Sequence, residues 1–116
     1  LAQHYLTVKK LSRQLKSAFK DWPTISVNSP DTAVPHILNI SIASRSASDT
    51  QTFLALQGIL VSTQSACSSS KERSEAVYRL TQSETKALSS IRISLSHLTT
   101  EKELFALVEA LRKWAL

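Results

Sequence analysis

The apolar residues of the first 22 positions recur at intervals of three and four. This stripe contains Leu1, Tyr5, Val8, Leu11, Leu15, Ala18, Phe19 and Trp22. Such spacing places apolar side chains on one face of an amphipathic α-helix. Pro23 disfavours helical geometry at the residue before it, so the pattern predicts a helix over residues 1–22 that ends at Asp21-Trp22-Pro23.

Two later segments alternate between apolar and polar residues, which is typical of half-buried β-strands. The segment Ile37–Ile42 places three apolar side chains on one face, those of Leu38, Ile40 and Ile42. The segment Ile91–Leu95 does the same and turns Arg92 and Ser94 away from the core. Shorter strands are expected at Ile25–Val27, inside a proline-rich loop over residues 23–36, and at Ile59–Val61.

Capping signals mark the remaining helices. Asp49 is expected to cap a helix over Thr50–Gln57, and Gly58, the only glycine, follows where a left-handed residue often ends a helix. Thr100 and Glu103 form a capping box for the closing helix. Residues 75–88 show weak helical patterning, with a turn near 81–83. The order predicts an α/β chain of the α+β kind, a single domain over 1–116 with a small, mainly antiparallel sheet and helices on one face.

Composition and charge narrow the function classes. The chain has 116 residues and a formal net charge of +5, and five of its basic residues lie on the first helix. A solvated helix face accounts for them, because no glycine-rich loop, aromatic platform or zinc-finger spacing indicates nucleic-acid binding. No apolar run approaches the ~20 residues that a membrane span needs. One cysteine and three scattered histidines make a poor metal set, and a cytoplasmic location is expected.

Cys67 lies in a polar, serine-rich stretch from Ser62 to Ser74 that predicts a mobile loop. A lone cysteine is usually a small buried side chain, but this stretch has no apolar residues to bury it. An exposed thiol is reactive to the degree that it ionises, and Lys71 and Arg73 lie close enough in sequence to favour the anion. The residues alone leave both interpretations open.

Arg92 also permits two interpretations. It stands in the middle of an apolar strand, on the face opposite the core side chains. That face is either exposed to solvent or ion-paired, or else it lines a cleft. An arginine on a rigid strand presents a planar fork of donors that suits a carboxylate. Spacing alone does not decide between these interpretations.

Four sequence blocks occur in the order and spacing of a known family. They are Gly58-Ile59-Leu60-Val61-Ser62-Thr63-Gln64-Ser65-Ala66-Cys67-Ser68-Ser69, Ser89-Ser90-Ile91-Arg92-Ile93-Ser94-Leu95, Thr99-Thr100-Glu101-Lys102-Glu103 and Pro35-His36-Ile37-Leu38-Asn39-Ile40-Ser41. Together they resemble the C-terminal small domain of NifS-like cysteine desulfurases, over essentially the whole chain. The chain departs from the usual pattern at Gln64, where glycine is usual, and at Ser96-His97, where glycine-arginine is usual.

The resemblance implies a homodimeric pyridoxal-phosphate enzyme of the aspartate-aminotransferase-like fold. Cys67 would take sulfur from L-cysteine as a persulfide, on an active-site loop that also contains Gln64, Ser65, Ala66, Ser68 and Ser69. Arg92 would hold the substrate carboxylate. The sulfur would pass to an iron–sulfur scaffold or a tRNA-thiolation protein. The cofactor lysine of this family lies in a large domain, so this chain by itself is expected to bind no cofactor and to be inactive.

Two alternatives remain open at this point. The first is an aminotransferase or lyase of the same superfamily in which Cys67 is incidental. The second is a sulfur-carrier or docking module that works without a cofactor. The chain starts without methionine and in the middle of a predicted helix, so we expect it to be a fragment of a longer protein.

Overall fold

The computed structural model describes residues 2–63 and 73–115. Within these two ranges, five helices and three strands follow one another in the order α1 (Ala2–Phe19), β1 (Ile25–Val27), β2 (Ile37–Ile42), α2 (Ala47–Leu56), α3 (Glu75–Thr81), α4 (Glu84–Leu88), β3 (Ser90–Ser94) and α5 (Glu101–Ala115). No helix in these ranges is both long enough and apolar enough to cross a lipid bilayer.

The three strands form one antiparallel sheet in the order β1-β2-β3. Their registers are fixed by pairs such as Val27 with Ile40 and Leu38 with Ile93. One face of the sheet packs against α1, α2 and α5, and the fully buried Leu15, Ile40 and Leu111 lie in this core. The predicted α+β fold with a small antiparallel sheet is confirmed. Helices α1, α2 and α5 pack on one face as predicted, whereas α4 contacts the other face, where the Ser41 hydroxyl donates to the carbonyl of Lys86.

The first helix follows its predicted stripe but is shorter than expected. Val8, Leu11, Leu15 and Phe19 are buried, whereas Tyr5 is exposed. The helix ends at Phe19, so the predicted end at Trp22 is wrong by three residues. The backbone N–H of Trp22 instead donates to the carbonyl of Phe19 in a turn, and the two rings meet edge to face.

Helix α2 begins earlier than predicted, because Ser46 caps it and Asp49 does not. The Ser46 hydroxyl accepts from the backbone N–H of Asp49, which lies inside the first turn, where a carboxylate favours the helix dipole. At the other end Gly58 has φ +80°, as expected for a left-handed residue. The N–H groups of Gly58 and Ile59 donate to Ala55 and Leu54, a Schellman closure.

The predicted strand at Ile59–Val61 is absent, and only Ser62 pairs with β3. The Ile59 N–H is already used by the closure of α2, and the Val61 carbonyl accepts from the side chain of Gln51. In a longer antiparallel ladder the next hydrogen-bonded residue would be Leu60, opposite Ser94, and no backbone hydrogen bond joins Leu60 to β3, so the pairing stays a single bridge.

Two further local predictions are confirmed, and the strand predicted at Ile91–Leu95 is present as β3, one residue earlier. Helices α3 and α4 are separated by Gln82, which is left-handed with φ 57°. Thr100 and Glu103 form both bonds of the capping box: the Thr100 N–H donates to the Glu103 carboxylate over 2.9 Å, and the Glu103 N–H donates to the Thr100 hydroxyl over 3.1 Å.

Candidate functional site

The face of the sheet opposite the core carries a row of polar residues. Asn39 of β2 is the cross-strand partner of Arg92 of β3. Arg92 in turn pairs with Ser62, and the backbone N–H of Asn28, directly after β1, donates to the Asn39 carbonyl over 2.8 Å. Residues paired directly across strands share a face, so Asn28, Asn39, Arg92 and Ser62 form one line across the sheet. We call this line the polar row.

Asn39 and Arg92 form the tighter of the two kinds of antiparallel pair. Both backbone groups of Arg92 bond outward to Ser62, over 2.8 and 3.0 Å. Both backbone groups of Asn39 bond outward too, with the N–H donating to the Ser29 hydroxyl over 2.8 Å. Neither residue therefore bonds to the other through its backbone. In such pairs the Cα atoms lie about 4.5 Å apart and the side chains are closest.

The guanidinium of Arg92 has no acidic partner within residues 2–63 and 73–115. Its neighbours on the same face are polar and uncharged: Asn39, Ser62, Ser90 and Ser94. Arg92 is half-buried, and the described ion pairs involve other residues. A half-buried cation among neutral donors favours an anion from outside the described residues, and its planar fork suits a carboxylate.

Ser62 connects Arg92 to the segment that contains the predicted nucleophile. The chain continues from Ser62 through Thr63 into residues 64–72. The predicted nucleophile and its loop neighbours lie outside the described residues: Cys67, Gln64, Ser65, Ala66, Ser68 and Ser69. The structure therefore fixes where this segment leaves the sheet, next to Arg92, and where it returns, at Arg73.

Arg73 forms ion pairs with two carboxylates. Its guanidinium contacts Glu75 over 2.7 Å and also Glu84, and it lies over the ring of Tyr78 at 4.1 Å. The hydrogen bonds to Glu75 and then to Glu84 raise the pKa of Arg73 above its usual range. The charge of Arg73 is thus balanced locally, which argues against the prediction that it favours a thiolate at Cys67.

Sequence reasoning missed the hydrogen bonds that link the polar row to the rest of the fold. The side-chain amide of the buried Asn28 donates to the Asn39 side chain over 2.8 Å and to the Ser41 hydroxyl over 2.7 Å. The only signal in the sequence was that Asn39 and Ser41 alternate on the outer face of β2. Their contact with Asn28 depends on the register of β1 against β2, which the residues alone do not specify.

The departure at Ser96-His97 fits the local backbone. Neither residue has positive φ, so glycine is not required at this turn. The Ser96 N–H donates to the Thr99 hydroxyl over 3.0 Å, and the Ser96 hydroxyl accepts from the N–H of Leu98 over 3.1 Å. The ring of His97 stacks on His4 of α1, with centroids 3.7 Å apart.

The sequence profile of the class-V aminotransferases matches residues 2–107. The chain belongs to this family. Within it, the chain is 36% identical over 114 residues to the cysteine desulfurase IscS of Vibrio cholerae, which covers 97% of this chain and 28% of that protein. It is 37% identical over 99 residues to IscS of Buchnera aphidicola, covering 84% of this chain and 24% of that protein.

A solved structure of a NifS-like protein from Rickettsia africae has the same fold. It superposes with a TM-score of 0.78 at 29% identity, over 96% of this chain and 29% of that one. The chain therefore spans about a quarter of the length of these class-V relatives. The predicted resemblance to NifS-like proteins is confirmed.

Two groups are relevant to the polar row in this family, an amino-acid carboxylate and pyridoxal phosphate. Arg92 and the amide of Asn39 supply donors that fit a carboxylate. Enzymes that use pyridoxal phosphate hold it as a Schiff base with a lysine. None of the strand residues on this face is a lysine. The described strand residues of this face therefore offer donors that suit an amino-acid carboxylate and include no lysine for a Schiff base with pyridoxal phosphate.

Proposed function

We propose that this chain is the C-terminal small domain of a cysteine desulfurase, with Cys67 as sulfur acceptor and Arg92 as carboxylate-binding residue. The reaction converts L-cysteine and the Cys67 thiol into L-alanine and a Cys67 persulfide. All atoms and electrons balance between these four species, so no outside oxidant or reductant is needed. The class-V family and the IscS relatives support this reaction class.

The position of Arg92 beside Ser62 carries the proposal. Arg92 is a cation with no described anion partner, and Ser62 is held against it by two backbone hydrogen bonds. Cys67 follows Ser62 by five residues. An extended chain of that length spans at most about 18 Å, so the thiol belongs to a segment that starts within reach of a molecule bound at Arg92.

Each residue has a definite task in this proposal. Arg92 pairs with the substrate carboxylate and fixes the amino acid relative to the sheet. The Cys67 thiolate attacks the substrate sulfur, so that an S–S bond forms and the carbon–sulfur bond breaks. The electron pair stays on the former β-carbon, which takes a proton and becomes the methyl group of alanine. In the full-length enzyme, pyridoxal phosphate held by a large domain would serve as the electron sink.

The exposed surface supports a further domain packed against this one. Leu56 is 81% exposed and Leu60 is 87% exposed, and both line one shallow groove with Val61. Apolar residues grouped in this way are typical of surfaces that pack against another chain or domain. The proposed partners are the large domain of the same protein, a homodimer mate and a sulfur acceptor of the iron–sulfur or tRNA-thiolation kind. The proposed location is the cytoplasm.

Alanine release from L-cysteine by the full-length protein tests this function. We expect release by the native protein, an added mass of one sulfur on Cys67, and loss of both in Cys67→Ala. Gln3→Ala, a change on the exposed face of α1, serves as the control and should leave both unchanged.

The alternative functions give different results in the same experiment. Alanine release that survives Cys67→Ala would exclude this thiol and favour another reaction of the superfamily. An added sulfur on Cys67 from a persulfide donor, without any alanine release from L-cysteine, would favour a sulfur-carrier module.

A further inference from the structure

A chain of hydrogen bonds runs from α4 to the polar row. The Ser41 hydroxyl donates to the backbone carbonyl of Lys86 over 2.7 Å. The Asn28 amide nitrogen donates to the Ser41 oxygen over 2.7 Å and to the Asn39 side-chain oxygen over 2.8 Å. Ser41 is 2% exposed and Asn28 is 8% exposed, so water does not compete freely for these bonds.

The chemistry of the donors fixes the direction of this chain. A backbone carbonyl only accepts, so the single hydroxyl proton of Ser41 goes to Lys86. The Ser41 oxygen then accepts from Asn28, which must turn its amide nitrogen toward Ser41. The second hydrogen on that nitrogen goes to Asn39, which must therefore present its carbonyl oxygen to Asn28. The amide group of Asn39 has no freedom to turn over without breaking a bond.

The orientation of Asn39 leaves two donors beside Arg92. The side-chain nitrogen of Asn39 is the end of its amide that does not face Asn28, and it has no hydrogen-bond acceptor among residues 2–63 and 73–115. Asn39 is half-buried and forms the close, non-hydrogen-bonded pair with Arg92. Arg92 is also a donor only, so the two side chains cannot satisfy each other. They can share an acceptor that carries two oxygens.

We propose that Asn39 is a second carboxylate-binding residue: its side-chain N–H donates to the same substrate carboxylate that Arg92 pairs with. Asn28 and Ser41 are positioning residues that hold the Asn39 amide in the donating direction. This inference deepens the proposed function and rests on it for the identity of the substrate. Two donors on adjacent strands fix the plane of the carboxylate as well as its position.

The matched variants are Asn39→Val and Asn39→Thr in the full-length protein. Both side chains are β-branched and suit a strand, but only threonine has a hydroxyl that accepts from Asn28 and donates to a carboxylate. A hydrogen bond to a charged group that forms in both the bound and the reacting state changes KM rather than kcat. We expect Asn39→Val to raise KM for L-cysteine about 10- to 100-fold with kcat near the native value. Asn39→Thr should recover most of this loss.

The inference fails if Asn39→Val leaves KM unchanged, or lowers kcat while KM stays native, because a merely structural role lowers the fraction of active enzyme. Equal values for the two variants would also overturn it. Gln3→Ala is the control for the substitution procedure and should match the native protein.

A binding measurement separates this inference from the proposed function. Calorimetric titration with L-alanine and with L-alaninamide, which lacks the carboxylate, needs no desulfurase turnover. We expect the native protein to prefer L-alanine, and Asn39→Val to lose affinity for L-alanine about 10-fold or more while its affinity for L-alaninamide stays the same. If this binding pattern is found but no alanine is released, the proposed reaction is rejected and the carboxylate-binding role of Asn39 is supported. If the native protein does not prefer L-alanine over L-alaninamide, the carboxylate-binding role of Asn39 is overturned.

Discussion

Ser62 and Arg92 are held together by two backbone hydrogen bonds, one in each direction. This is the only isolated bridge in the described part of the chain, and it joins two regions that are 30 positions apart in sequence. The start of the cysteine-containing segment therefore has a fixed place relative to the proposed carboxylate-binding residue. This spatial relation between Ser62 and Arg92 does not depend on the position of Cys67.

Replacement of Arg92 should weaken substrate binding and leave the stability of the fold unchanged. Arg92→Gln removes the only cation on the polar row and keeps a side chain of similar reach. The lost charge-assisted hydrogen bonds are worth about 1.5–3 kcal/mol, so KM for L-cysteine should rise about 10- to 100-fold in the full-length protein. Steady-state alanine release measures this effect.

Arg79→Gln is the matched control for Arg92, because it removes an exposed arginine of α3 from outside the site. Its kinetics should match the native protein. Native KM in Arg92→Gln would remove the carboxylate-binding role from this residue.

Gly58→Ala should destabilise the chain through its backbone alone. Gly58 has φ +80°, and a Cβ atom at this position would meet nothing within 4 Å. The free energy of unfolding should therefore fall by about 1–2 kcal/mol, the cost of a left-handed conformation for an L-residue. Urea denaturation followed by tryptophan fluorescence measures the change.

Gly58→Asn should lose less stability than Gly58→Ala, because asparagine tolerates the left-handed region better. A larger loss in the asparagine variant would point to crowding that the structure does not contain.

Thr100→Ala should lower stability by about 1 kcal/mol, because it breaks the capping box of α5. Thr52→Ala is the comparison, since Thr52 lies exposed within α2 and alanine is the better helix former. We expect this control to be neutral or slightly stabilising under the same denaturation conditions. Equal losses in the two variants would show that the box contributes nothing beyond helix propensity.

The sequence predicted the elements whose signals are local. The alternation of Leu38, Ile40 and Ile42 marked β2 correctly, because successive side chains of a strand point to opposite faces of the sheet and these three point into the core. The capping box at Thr100 and the left-handed Gly58 were correct for the same reason, since each depends on a few neighbouring residues.

The errors arose where two local signals competed. Ser46 and Asp49 are both good capping residues, and the apolar spacing did not decide which of them starts α2. Ile59–Val61 had a composition typical of a strand, but the Ile59 N–H closes α2 and no backbone hydrogen bond joins Leu60 to β3. The polar row was partly predicted, with Arg92 identified and Asn28 missed, because only the pairing of three distant strands brings these residues together.

The stacked rings of His4 and His97 give a structural role to the histidine that stands at position 97, where arginine is usual in the family pattern. Glycine-arginine at positions 96–97 would have no imidazole to stack on the ring of His4. In this chain the ring centroids of His4, in the first turn of α1, and His97 lie 3.7 Å apart. The turn after β3, which contains His97, is thus in contact with the first turn of α1. His4 and His97 form a matched set, and close homologues should keep or exchange the two together.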